Sequence, residues 1–576
     1  MWARSSRSTG LSRAARRSRR GRASVRGRRV PALTGTTPEH QTGGSRRAPS
    51  SSAVATPTIG VCIVTWNRAS DVDRVLDALS RQRFPTEYLH IFVVDNASTD
   101  GTEALLTERW SPDRIVDNPT DRAEAPAFSV RERDEGGPNR GGFGSLTIVR
   151  NTANLGGCGG FNTGFRAVEA FMDGGASEAR PDFVWLVDDD IDLPPDALEH
   201  LVGAATADPE IGLVGSRTVD LGDRERTIES TIYFNPTEGV MADEPEPGHP
   251  RRTAHEAWAE TVGGPKGGDG YTGLREVDVV SACSLLARWS AVREVGYWDT
   301  RFFIYCDDAD WCLRFANAGK RVVLNLDAVV YHTPWHHKLT PARLYYAKRN
   351  LLWMIENNFP PAESERMWRH HGVRMLKEAA RAVLRRRLVH AETVRRSVAD
   401  AMAGRGGKLD MQIPGAEPLA DALKKAGADR PGASVVLCCP NRKALEAAAS
   451  LRHAAKDAGV SPRWIELVHN RVPDAHEGDD GDVHRVVYSE NKRSRIRRQV
   501  PLLFKRPVAC VVFDHENDFP LIPASKAVHI DTSKPDAAVV EDQPLGARIA
   551  CMARIARTML KLRRSPRGPG GQGSRA

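Results

Sequence analysis

The run Val184 to Asp190, reading VWLVDDD, constrains this chain more than any other segment. It has the pattern of a buried strand that ends in three consecutive carboxylates, and adjacent acids repel one another unless a cation or solvent lies between them. A hard divalent cation, Mg2+ or Mn2+, gives the arrangement a reason, because such ions take carboxylate and phosphate oxygens together. The bland alternative is a solvated acidic turn leading into a helix, since Asp196 and Glu199 continue the acidity.

The surrounding pattern is that of an α/β sheet. Residues 59–65 (IGVCIVT) form a β-branched apolar run, and residues 69–79 follow with Val72, Val75, Leu76 and Leu79 at helical spacing. Residues 90–95 (HIFVVD) then give a second strand with Asp95 at its end. Further strands are expected at 146–150, 183–187, 211–216, 277–286 and 322–326, and helices at 163–172 and 196–206. The Gly-, Pro- and acid-rich stretch from about 220 to 275 reads as a long insertion.

Two more clusters carry candidate chemistry. Residues 154–164 (NLGGCGGFNTG) hold five glycines, expected as a turn that brings backbone N–H groups close to an anionic ligand before a helix begins near Thr163. Asp307-Asp308-Ala309-Asp310-Trp311 reads as a helix start whose first acids face a cleft, where a carboxylate can accept a proton from a hydroxyl nucleophile. His332 closes the apolar run that follows, and a lone histidine gains meaning as a ligand only beside such acids.

Taken in order, TWNR (65–68), VVDNASTDGT (93–102), NLGGCGGFNTG (154–164), WLVDDD (185–190), DDADWCLR (307–314) and VVYH (329–332) resemble the inverting nucleotide-sugar glycosyltransferases of family two. Together with YYAKRN (345–350), they look most like bacterial galactofuranosyltransferases. The resemblance spans about residues 58–355 and implies a GT-A fold, a Rossmann-like mixed sheet that binds a nucleotide-sugar. It implies that Thr65 and Asp95 hold the base or ribose of the donor, and that Arg68, Asn154, Gly156 and Gly157 line the nucleotide-sugar. By the same resemblance Asp188 approaches the ribose, Asp190 and His332 ligate Mn2+ or Mg2+, and Asp189 stands nearby. Asp307 is implied as the base that deprotonates the acceptor, with Asp308 orienting the acceptor sugar; spacing alone does not separate these two roles. The implied reaction is transfer of a sugar, first of all galactofuranose from UDP-galactofuranose, to a lipid-linked or cell-wall glycan. The Gly-rich motif also looks like that of rhamnosyltransferases using dTDP-rhamnose. An inactive scaffold of the same fold that docks on membranes is the rival from another class, and the intact acids speak against it.

Charge divides the chain. Residues 1–56 carry +12, residues 57–340 carry −19, and residues 552–576 carry +7, within a total of +9. The organisation expected is an Arg-rich extension (1–56), a catalytic domain (57–341), a basic helical segment (342–410), a smaller α/β domain (411–562) and a tail (563–576). The helical segment, with Arg385, Arg386 and Arg387 prominent in it, and the run Lys492–Arg498 are candidate docking surfaces for an anionic membrane. Asp514-His515-Glu516 with Asp518 reads as a structural loop rather than a metal cluster. The tails have almost no aromatics among their arginines, so nucleic acid is an unlikely partner. The nine cysteines show no CxxC pair, favouring reduced thiols, and no apolar window reaches membrane-spanning length. The N-terminus has no apolar stretch behind its arginines. The expected location is cytoplasmic, peripheral on the inner face of the cell membrane.

Overall fold

The computed structural model describes residues 55–119, 128–131, 138–173, 180–261, 271–334, 340–472, 476–489, 497, 501–502, 505–513, 524–531 and 535–564. The Arg-rich extension before residue 55, the run 492–498 apart from Arg497, the Asp514–Asp518 cluster and the tail after 564 lie outside the described residues.

The β-branched run at the start of the described chain forms β1 (Ile59–Thr65), buried along nearly its whole length. Helix α1 (Ala69–Leu79) turns Val72, Val75, Leu76 and Leu79 inward, as its spacing requires, and β2 (Leu89–Asp95) returns parallel to β1. The chain continues through α2 (Thr102–Trp110), β3 (Arg114–Asn118), β4 (Ser129–Arg131), β5 (Ser145–Asn151), α3 (Gly156–Val168) and β6 (Phe183–Asp188). Beyond these come α4 (Ala197–Ala207), β7 (Ile211–Asp220), β8 (Thr227–Glu229), β9 (Tyr233–Asn235), β10 (Val240–Ala242), α5 (Arg252–Thr261) and β11 (Leu274–Glu276). Then β12 (Ser284–Arg288), α6 (Trp289–Val295), α7 (Asp307–Asn317) and β13 (Arg321–His332) complete an 11-stranded mixed sheet. Its order is β11-β13-β7-β12-β6-β1-β2-β5-β3-β4, with β8 on β7. Strands β6, β1, β2 and β5 run parallel, so their carboxyl ends share one edge, where ligands of open α/β sheets bind.

Helices α8 (Pro341–Asn358), α9 (Pro361–Leu384) and α10 (Leu388–Met402) follow, and then a second, 8-stranded sheet. It comprises β14 (Glu417–Pro418), β15 (Ser434–Cys439), β16 (Arg463–His469), β17 (Gly478–Asp480), β18 (Val483–Tyr488), β19 (Ala509–Phe513), β20 (Lys526–Ile530) and β21 (Ala537–Asp542). Helices α11 (Leu419–Lys425) and α12 (Arg442–Asp457) belong to this unit, and α13 (Leu545–Arg564) closes the described chain. The architecture is therefore the α/β sheet, basic helices and smaller α/β unit expected from the patterning.

Three local expectations are corrected. The glycine-rich segment is not a turn preceding a helix at Thr163; the helix begins at Gly156. Its glycines permit close helix–sheet approach: a Cβ on Gly160 would collide with Val64 and lie 2.9 Å from Asn96 Nδ2, and one on Gly164 would lie 3.0 Å from Cys62 Sγ. The strand expected over 277–286 starts only at Ser284, because Asp278 instead accepts hydrogen bonds from Phe234 N and the side chains of His249 and Arg251. The stretch read as an insertion contains β8–β11 and α5.

Replacing Gly160 with Ala forces the α3–β1 contact apart, so Gly160→Ala should lower unfolding stability by about 1–3 kcal/mol, read by urea denaturation. An unchanged midpoint would show that the helix does not need this approach.

Candidate active site

Register places the first residues of the site. Thr65 stands beside Asp95, and Val64 beside Asp188, at the carboxyl ends of β1, β2 and β6. Asp95 is buried and accepts from Ser98 N at 2.8 Å, and burial raises its pKa. The acidic segment is tied to β13 by paired backbone bonds, Asp192 N to Tyr331 O at 2.9 Å and Tyr331 N to Asp192 O at 3.0 Å. This clamp brings His332 Nε2 to 3.1 Å from Asp190 Oδ1. Ligand atoms of Asp188, Asp190 and His332 lie within 4.8 Å of one another. Two carboxylates and one imidazole converging from separate strands are a donor set that suits Mn2+ or Mg2+ while leaving positions for phosphate oxygens. Asp188 thus stands with the candidate metal ligands, a closer association than its expected place near the ribose.

Arg68, just before α1, reaches the same carboxylates: its Nη1 is 2.8 Å from Asp190 Oδ2 and 3.6 Å from Asp189 Oδ1. Asp189 is buried, and that burial pushes its pKa up to about 7 against the pull of Arg68. An open cleft of about 540 Å³ lies here, lined by Arg68, Arg74, Asp190, Asp192 and Arg224 among others. Arg224 pairs with Asp192 and stacks 4.3 Å from the centre of the Tyr331 ring. Neither Arg74 nor Arg224 stands out in the sequence.

Asn154 accepts from Gly156 N at 2.9 Å, and Cys158 N donates to Phe303 O at 3.2 Å. Those two N–H groups, expected to face an anion, are therefore already bonded within the protein. Gly156 has φ +75 and presses against Phe303, while a Cβ on Gly157 would lie 4.0 Å from Asp307 Oδ2. Gly157 therefore sits at the approach to Asp307, and Gly156 supports the wall behind it.

Asp307 and Asp308 open α7 and face this region, whereas Asp310 turns inward to Arg314 Nε at 3.0 Å and to the side-chain amides of Asn357 and Asn358 at 2.9 Å. Burial, then the charges of Asp308 and Asp188, push Asp307 well above the ordinary carboxylate range; burial also raises Asp308. The backbone leading into α7 is strained: Phe303, Tyr305 and Cys306 all have positive φ, a conformation costing of order 1–3 kcal/mol per residue. Asn350 on α8 holds it by donating to the carbonyls of Phe302 (2.9 Å), Ile304 (2.8 Å) and Tyr305 (2.8 Å). Arg349, fully buried beside it, donates to Arg301 O, Phe302 O and Gly407 O. Glu229 on β8 is a further carboxylate that sequence reasoning missed. Its Oε2 accepts from Thr218 at 3.1 Å, and burial raises its pKa to about 7 while His332 opposes the rise.

A sequence model described as glycosyl transferase family 2 matches residues 60–116 and 114–262. Residues 60–262 carry the sequence pattern of a family 2 glycosyl transferase domain. It is 27% identical over 284 residues to the N-acetylglucosaminyl-diphospho-decaprenol L-rhamnosyltransferase of Mycobacterium tuberculosis, covering 49% of this chain and 78% of that relative. Among solved structures, similarity extends to S. aureus TarS (TM-score 0.36, 15% identity, 60% of this chain and 49% of that one). It extends also to a mannosyltransferase of Pyrobaculum calidifontis in complex with GDP-Man and Mn2+ (TM-score 0.33, 18% identity, 70% and 85%). The chain thus spans about half of the TarS chain. The protein is a glycosyltransferase enzyme, as the ordered motifs implied.

The raised Asp307 carboxyl has two consequences. Its folded pKa lies above that of the unfolded chain, so the folded state binds the extra proton, and stability falls as pH rises from the unfolded value to the folded one. Asp307→Asn should therefore melt higher than the parent, with the gap widening as pH rises through that window, in thermal melts. Asn350→Ala should leave the folded core intact and cut turnover about 10–100-fold, because it frees the segment that aims Asp307; unchanged turnover would show that Arg349 alone suffices.

Proposed function

We propose that this protein is a metal-dependent inverting glycosyltransferase that moves a hexose from a nucleotide-sugar to a lipid-linked glycan acceptor. The observation that carries the reading is the meeting of Asp188, Asp190 and His332 at the same sheet edge as Asp307. When bound, the divalent ion would offset the negative charge that develops on the departing nucleoside diphosphate. Asp188, Asp190 and His332 would hold it. Arg68, now spanning Asp189 and Asp190, would turn toward the diphosphate, and Thr65 and Asp95 would meet the nucleoside. Gly156 and Gly157 would shape the donor side, with Asn154 fixing the start of α3.

Asp307 would take the proton of the acceptor hydroxyl as that oxygen attacks the anomeric carbon opposite the diphosphate, inverting its configuration. Asp308 would orient the acceptor sugar. A base whose pKa lies well above the ordinary carboxylate range captures a hydroxyl proton more readily once ionised, but less of it is ionised near neutrality. The rate should therefore rise with pH above the usual carboxylate range of about 4.

Two donors have separate support. The motif order favours UDP-galactofuranose, and the rhamnosyltransferase relative favours dTDP-rhamnose with a polyprenyl-diphosphate-linked acceptor. No described helix is long and apolar enough to cross a membrane.

The deciding experiment is a transfer and donor-hydrolysis screen with UDP-galactofuranose, UDP-galactopyranose, UDP-glucose and dTDP-rhamnose, with Mn2+ or with EDTA. Turnover with one donor, lost in EDTA and restored by Mn2+, is expected. His332→Ala should weaken Mn2+ activation about 10–100-fold, and Asp307→Asn should abolish transfer while donor binding persists. Turnover indifferent to EDTA would remove the metal role, and silence with every donor would favour the scaffold.

A further inference from the structure

Helix α13 has two apolar stripes, and only one of them is used by the fold. Cys551, Ile555, Thr558 and Leu562 face inward, with Leu562 against Gly372 of α9 and Cys551 beside Glu392 of α10. At about 100° per residue, Leu545, Ile549, Met552, Ala553, Ala556 and Leu560 fall on a separate arc about 100° wide, turned away from the first, with Arg563 on it at the C-terminal end. That second arc is in solvent: Leu545 is 65% exposed, Ile549 61% and Leu560 54%. An apolar side chain standing singly in water needs no explanation, but a helical stripe of them does.

The flanks of the stripe supply its chemistry. Residues 545–564 contain Arg548, Arg554, Arg557, Lys561, Arg563 and Arg564 and no Asp or Glu. Arg554 is partly committed to Glu392 at 3.4 Å, whereas Arg557, Lys561 and Arg564 fall on the arc between the inward face and the exposed stripe. An exposed apolar stripe bordered by cations is the composition of a helix that lies in the plane of an anionic bilayer surface. A groove along α9 is basic as well, lined by Arg366, Arg369, His370, Arg374 and Lys377 together with Glu365. Within it Arg369 and Arg374 pair with Glu365 and Glu238, so α13 supplies the larger unbalanced charge.

The tripeptide Arg385–Arg387, expected as the docking patch, does not form that surface. Arg386 is buried, donating to Ala524 O while its own carbonyl accepts from the Gln543 amide, and Arg387 lies beside Glu541. A turn with Arg386 at φ +61 carries Arg386 and Arg387 toward the second sheet.

We propose that the outward face of α13 docks this enzyme on an anionic lipid bilayer, with Leu545, Ile549 and Leu560 entering the interface and the adjoining Arg and Lys meeting the headgroups. Charge argues against a second copy as the occupant. A second copy packed through this helix would bring two acid-free basic helices together. The proposal gives the lipid-linked acceptor of the proposed function its meeting surface and rests on that reading for its purpose, but docking itself is measured without turnover.

The test is flotation of the full chain with phosphatidylcholine vesicles, with and without phosphatidylglycerol, at low and high salt. Binding confined to the anionic vesicles and weakened by salt is expected. Ile549→Glu with Leu560→Glu should reduce it by at least about tenfold, and Arg557→Gln with Lys561→Gln should reduce it less and remove part of the salt dependence. Both pairs lie on the exposed side, so melting temperature and transfer to a water-soluble acceptor should stay unchanged. Vesicle binding that survives the Glu pair overturns the proposal, as does equal binding to neutral vesicles. Self-association in light scattering that the Glu pair abolishes, without vesicle binding, assigns the face to a second copy instead and also overturns it. Vesicle binding with no transfer to any acceptor would sink the proposed function and leave the docking surface standing.

Discussion

Mutual repulsion among carboxylates governs the organisation of the first sheet. Asp188, Asp189 and Asp190 end β6, Asp307 and Asp308 begin α7, and Glu229 approaches from β8. Burial raises Asp189, Glu229, Asp307 and Asp308 at once, so the folded chain holds several acids where each disfavours the ionisation of its neighbours. Arg68 offsets part of this charge, and a divalent ion would offset more. The remainder is opposed by the packing and hydrogen bonds that hold the site's backbone in place. Asn350, Arg349 and the Asp192–Tyr331 bridge each use backbone carbonyls or amides to fix a carboxylate or its ligand partner in place.

Much of this was legible in the sequence because it is local. Strands β1, β2 and β6 are unbroken apolar runs, and acids at their ends stand out by contrast. The relation of Asp190 to His332 could be expected from motif order, although 142 residues separate them, but only the Asp192–Tyr331 bridge explains why their side chains meet. The start of α3 was misread because glycine disfavours helix. Tertiary packing against Val64, Cys62 and Phe303 overrides that preference. Glu229 was invisible for a different reason: it sits in a polar stretch with no periodicity, and only its pairing on β7 directs it toward His332.

Charge runs were the least reliable guide to surface. Arg385, Arg386 and Arg387 are consecutive and look alike, yet Arg386 sits buried in a left-handed turn and Arg387 lies beside Glu541. Conversely α13, whose pattern alone reads as an ordinary amphipathic helix, bears a second apolar arc that is recognisable only once the inward one has been assigned. Net charge per segment therefore sets the sign of a surface, while backbone geometry decides which cations belong to it.

The burial of Arg386 also changes what the two sheets are to each other. Its Nη1 donates to Ala524 O and its carbonyl accepts from Gln543, both in the later part of the chain, and Leu562 fills the space that a bare Gly372 leaves on α9. From Pro57 onward the chain forms one compact unit. A protein cut after α10 would lose the acceptor for a buried cation and open a slot in its own helical layer. The later sheet is thus less a passenger than a keystone, so a minimal catalytic fragment of this chain is bounded by α13 and not by the last residue of its active site.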